Sequence, residues 1–257
     1  MKKILALLMA MAMLVSAAGC QSKGSGKEMS AEEVYKSAME KTNALQDTDM
    51  TMNMDMNMAV GGEELTISSD IALKAAGLTT EEMQMNMSMG MELLGQAVDM
   101  NMYYKDGYFY TEMAGQKAKQ AMDVEAAVDQ VEDSTAMGGI GAEAMKELKM
   151  EAKDNGEYEI SFVADGSKLT DYVDSVMGQL SDILGPDADA NMTVGDVTGT
   201  ALVNKDGYIA EESMTMVMTM TVEGQEITLT LNMDAVYNNP GQAVTVDFPD
   251  LSDFVEA

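Results

Sequence analysis

Methionine occupies every second position from Met50 to Met58, and Thr51, Asn53, Asp55 and Asn57 stand between. On an α-helix, a step of two residues turns the side chain by about 200°, so alternate positions share no face. On a strand the same spacing lines one face with methionine and the other with polar groups. The pattern returns at Met83, Met85, Met87, Met89 and Met91, and again at Met214, Met216, Met218 and Met220. Propensity opposes it, because Met favours helix and Asn and Asp are depleted in strands. Strict alternation over this length outweighs propensity, and the three stretches are expected as strands with one apolar face.

The rest of the chain fits around them. Leu65, Ile67, Ile71 and Leu73 alternate after a Gly61-Gly62 turn, and Val98, Met100, Met102 and Tyr104 alternate after Gly95. Lys105-Asp106-Gly107 reads as a hairpin turn, with a strand returning from Tyr108 to Met113. This makes a five-strand antiparallel meander. Ser30 with Glu33 reads as a capping box for a helix at about 31–45. Val124, Ala127, Val128 and Val131 have helical spacing, a short helix is expected at about 142–149, and Glu157 to Ala164 reads as a strand. Leu169, Tyr172, Val173, Val176, Met177, Leu180 and Leu184 form an amphipathic helix. Strands then return at Val197–Val203, Met214–Met220 and Ile227–Met233, and the Lys-Asp-Gly-Tyr of 105–108 recurs at 205–208. The halves read as one sheet interrupted by helices. The fold class is α+β: a long-stranded, curved antiparallel sheet with helices on one face.

The first residues indicate an address. Lys2 and Lys3 precede an apolar run from Ile4 to Val15, which is too short to span a bilayer and suits a signal peptide. It closes on Ser16-Ala17-Ala18-Gly19-Cys20, which resembles the bacterial lipobox with Ala17 where Leu is usual. The reading is a lipoprotein signal over 1–19, a flexible tether over 20–28 and one domain over 29–257, lipid-anchored through Cys20 on the extracytoplasmic face of the cell membrane. Losing residues 1–19 removes two lysines and no acid, which moves the formal net charge from −29 to −31. Such a surface repels nucleic acid and anionic headgroups. The expected state is a monomer.

Together, the lipobox, the Ser-Ala-Glu-Glu helix start, the Met-alternating strands and the Lys-Asp-Gly-Tyr hairpin resemble a group of Met-rich lipoproteins of Gram-positive, clostridia-like bacteria. Their fold is similar to the LolA and LppX carriers of lipoproteins and lipids. The resemblance covers about residues 28–250. It implies an unclosed half-barrel whose concave face is covered by helices and can hold acyl chains. Its motifs are patterns, so no functional residue carries over beyond Cys20.

Three chemistries find little support in these residues. Thioethers suit Cu(I), but successive Met on one strand sit about 6.6 Å apart, and the chain has no His and no second Cys. Asp187, Asp189 and Asn191 begin an EF-hand pattern that fails at Met192 and Thr198. Without His the usual nucleophile–base pairs are absent, so no catalysis, cofactor or metal is expected. Methionine is unbranched and polarisable and accepts varied apolar partners. The expected function is binding or shuttling of a hydrophobic ligand, lipid included, in a cleft lined by Met50, Met52, Met54, Met56, Met58, Met83, Met85, Met87, Met89, Met91, Met100, Met102, Met214, Met216, Met218 and Met220. The alternatives are a Cu(I)-handling lipoprotein and an envelope interaction or sensing module.

Overall fold

The structure, a computed structural model, describes residues 29–60, 63–78, 80–93, 96–128, 140–141, 144–169, 193–222 and 225–256. The signal peptide, Cys20, the tether, the 170–184 part of the amphipathic helix and the Asp187 segment lie outside them. Helix α1 spans Ala31–Asn43. Its capping box is formed: Glu33 N–H donates to Ser30 Oγ at 3.2 Å, and Ser30 N–H donates to the Glu33 carboxylate at 2.8 Å.

Strands β1 (Thr48–Val60), β2 (Glu63–Ala76), β3 (Gln84–Leu93), β4 (Gln96–Lys105), β5 (Tyr108–Met113) and β6 (Gln116–Ala121) form a meander of one strand more than expected. Strands β7 (Met145–Ala152), β8 (Tyr158–Ala164), β9 (Thr193–Val194), β10 (Val197–Val203), β11 (Ile209–Val222), β12 (Gln225–Tyr237) and β13 (Val255–Glu256) follow. All belong to one sheet of order β13-β6-β5-β4-β3-β2-β1-β12-β11-β10-β8-β7, with β9 on β11. The two ends do not meet, so the curved sheet stays unclosed. The β1–β12 pairing, from Met50 opposite Tyr237 to Val60 opposite Ile227, joins the two halves. Pairing is antiparallel except for β13 on β6.

One expectation needs correction. The short helix at 142–149 is β7, paired with β8. Lys, Glu, Leu and Met favour helix, but pairing overrides propensity here. A bulge between Met145 and Glu147 also breaks the alternation. The expected helical layer falls largely outside the described residues. Among the described residues the molecule is mostly sheet: α1 packs against β7, β10 and β11 at one end, residues 124–128 are helical, and Gly166–Lys168 is a single 3-10 turn.

The repeated Lys-Asp-Gly-Tyr makes two different turns. Asp106 and Gly107 both have positive φ, 53° and 75°, as a two-residue hairpin requires. In the second copy the Asn204 carboxamide oxygen accepts from Asp206 N–H and Tyr208 N–H, both at 3.0 Å. That turn also anchors α1: Lys41 lies 4.1 Å over the Tyr208 ring and donates to the Asp206 carbonyl, and Ile209 N–H donates to Thr42 Oγ1 at 2.9 Å.

The outer face explains the Asn and Asp in strands. Directly opposed residues pair across strands: Thr66 donates to Asn57 at 2.8 Å, Ser68 to Asp55 at 2.6 Å, Thr215 to Asn232 at 2.9 Å, and Ser213 to Asp234. Cross-strand pairs of this kind stabilise a sheet and offset weak propensity. Over this face runs the C-terminal segment. Asn86 donates to the Asp247 carbonyl, Phe254 packs edge-on against Tyr103 and Tyr110, and β13 covers the edge of β6.

Inner-face packing demands a glycine at 199. A Cβ there would lie 2.3 Å from Phe162 Cζ and 2.5 Å from the Ser213 carbonyl oxygen. Gly199→Ala therefore lowers stability by about 1–3 kcal/mol through overpacking, read as a fall in the urea midpoint. An unchanged midpoint would mean that Phe162 does not lie over Gly199.

Candidate functional site

Antiparallel register sets side chains of one face in rows across the sheet. One inner row reads Leu148, Phe162, Gly199, Met214, Met233, Met54, Ser69, Met91, Val98. The next reads Met150, Ile160, Ala201, Glu212, Ala235, Met52, Ile71, Met89, Met100, Met113. A third runs from Tyr237 through Met50, Leu73 and Met87 to Met102. The methionines singled out in the sequence thus share one wall, with Met83 just before β3.

Their environments differ. Met50, Met52, Met58, Met83, Met85, Met87, Met102, Met214, Met216, Met218 and Met220 are buried. Met54, Met56, Met89 and Met100 are half-buried, as is Leu65. Met91 is 38% exposed, Val98 45% and Met113 45%. The wall is sealed towards β10–β12 and beside the turns after β2 and β4, and it is accessible in a band across the middle of β1 and the far halves of β3 and β4. A separate groove of about 480 Å³ lies beside α1, bounded by Met29, Val34, Ala38, Met150, Tyr158 and Val203.

An acid interrupts the apolar inner face. Glu212 is buried between Ala201 and Ala235 in its row. The fully buried Tyr35 of α1 places its hydroxyl 3.2 Å from Glu212 Oε1 and 3.4 Å from the Ile140 carbonyl. Desolvation raises the Glu212 pKa above the carboxylate range, and the Tyr35 hydrogen bond only partly opposes it. Burial and the nearby Glu212 push Tyr237 up to about 12, and burial followed by Glu212 raises Tyr35 as well. A hydroxyl donates one proton. The Tyr35 hydroxyl therefore has one proton for two acceptors within reach, the Glu212 carboxyl and the Ile140 carbonyl. This polar cluster ties β11 to α1 within the apolar wall. The sequence held a signal for it: Glu212 stands two residues before Met214, in phase with the methionines.

Among the described residues no group of three or more His, Cys, Asp or Glu could hold a metal ion. Register does bring thioether side chains opposite one another at Met87–Met102, Met89–Met100 and Met54–Met233.

Because folding raises the Glu212 pKa, the folded state holds this proton to higher pH than the unfolded chain. Its stabilising contribution is full below the ordinary value near 4.5 and is lost as pH rises through that value towards the folded one. Between pH 4.5 and 8 the wild type should lose stability relative to Glu212→Gln, whose side chain does not titrate. Urea denaturation against pH checks this, and parallel curves for the two proteins would contradict it.

Known structures align over most of the chain at low similarity. LprF from Mycobacterium bovis is 12% identical, with a TM-score of 0.42, over 85% of this chain and 96% of its own. A DUF1329 family protein from Desulfovibrio piger is 10% identical, with a TM-score of 0.26, over 86% and 94%. A putative outer membrane lipoprotein-sorting protein domain from Vibrio parahaemolyticus is 11% identical, with a TM-score of 0.24, over 87% and 97%. These likenesses are too loose to carry a functional argument. Among curated proteins, none matches the chain. One family model covers residues 30–250, and the chain belongs to that family, the family of unknown function DUF6612.

Proposed function

We propose that this chain is a non-catalytic, monomeric lipoprotein of the cell envelope, held at the membrane by lipid on Cys20. It binds or shuttles a hydrophobic ligand, lipid included, against its methionine wall. The observation that carries this reading is the partial exposure of Met54, Met56, Met89, Met91, Met100, Val98 and Met113, continuous with buried wall residues in the same rows. A wall serving only as core would be sealed along its length, since exposed apolar surface costs roughly 25 cal/mol per Å². Contiguous exposed apolar surface marks binding sites. The choice of side chain fits as well: a methionine wall repacks around ligands of different shape, whereas branched side chains would fix one.

Native mass spectrometry of the protein extracted gently from its own membrane tests the reading. A co-purifying hydrophobic molecule is expected, and Met56→Lys or Met91→Lys should lower its occupancy at least tenfold without unfolding the protein. Protein that carries no guest and takes up no added amphiphile would overturn the proposal.

A further inference from the structure

The charge on the wall restricts what it can hold. The chain contains no arginine, so lysine is its only basic side chain. No lysine occupies an inner-face register position on any described strand. Lys74, Lys117, Lys119 and Lys149 stand opposite outer-face residues Asp49, Glu112, Tyr110 and Ser161. Lys36, Lys41 and Lys205 are exposed on α1 and its anchoring turn, and Lys205, at the rim of the groove beside α1, is paired with Asp206 at 3.2 Å. Between Lys119 and Lys146, and again between Lys168 and Lys205, the sequence carries acids and no base. Among the described residues, the carboxyl buried in the wall is that of Glu212. On the described strands, a carboxylate or phosphate brought to this face would meet no lysine at an inner-face position, and taking an unpaired anion out of water is costly.

We infer that the ligand of the methionine wall is an amphiphile whose head group bears no negative charge, either a hydroxyl-bearing neutral lipid or an amine. This rests on the carrier reading above and narrows it. Neutral hydroxyls suit the few polar groups on the wall, such as half-buried Ser69 beside Met54 and Met91.

Three probes with one fluorophore and one alkyl chain test it below their micelle concentrations: a fatty acid, its glycerol ester and the matching alkyl amine. The ester and the amine should bind, and the fatty acid should bind at least tenfold more weakly. That difference should persist at 0.5 M salt, where a Debye length of ~4 Å removes long-range repulsion from the acidic surface. Ser69→Lys, which adds a cation to the accessible band, should raise the affinity for the fatty acid relative to that for the ester at least fivefold. Fatty acid binding within twofold of the ester at high salt would overturn the inference, as would discrimination that appears only at low salt. Failure of all three probes to bind would instead remove the carrier reading and the inference with it.

Discussion

Register is the constraint on which the rest depends. The side-chain period of a strand is two, so a slip of one residue exchanges its faces. In β1 such a slip would send Met50, Met52 and Met58 to solvent and bury Thr51, Asn53, Asp55 and Asn57. The cost of that exchange fixes β1 against β2 and β12, and those pairings set the rows through the rest of the sheet. The outer face reinforces the choice. Each Ser or Thr that donates to a facing Asn or Asp does so only in the native register, as Ser68 does to Asp55 and Thr215 to Asn232. Both faces therefore specify one alignment, and a chain rich in a flexible, weakly specifying residue still forms one ordered sheet.

Glu212 shows how the sheet is coupled to its helix. An acid within an apolar wall needs a partner, and α1 supplies Tyr35. The small flanking residues Ala201 and Ala235 leave room for this contact. The same helix is fixed at its other end by Lys41 and Thr42, which hold the 204–209 turn. Helix α1 is thus seated by polar contacts at defined points over an apolar surface. That arrangement gives it a position which packing against soft methionines alone would not.

The period-two stretches made β1, β3 and β11 legible, because no other regular structure puts those methionines on one face. The capping box made the start of α1 legible. β6 was not legible: Gln116 to Ala121 has no apolar alternation, and its turn puts Ala114 at φ 50° without the usual Asn or Asp. β7 was misread because a bulge hid its period. Glu212 is hard to recognise in the sequence because the methionine ladder starts only at Met214, although the acid continues its phase. Which part of the wall stays accessible was not legible either. Met54 and Met58 look alike in sequence, yet one is half-buried and the other buried, and that difference comes from packing between residues distant in the chain.

The accessible band is what separates a binding wall from a closed core, and methionine reports on it directly. Labelling the methionine methyl groups with carbon-13 and titrating with an uncharged long-chain glycerol ester would give one NMR signal for each site. The account predicts that the methyls of Met54, Met56, Met89, Met91 and Met100 shift together, while those of Met85, Met216 and Met218 stay in place. Unchanged signals across the band, or shifts confined to residues away from it, would contradict the account.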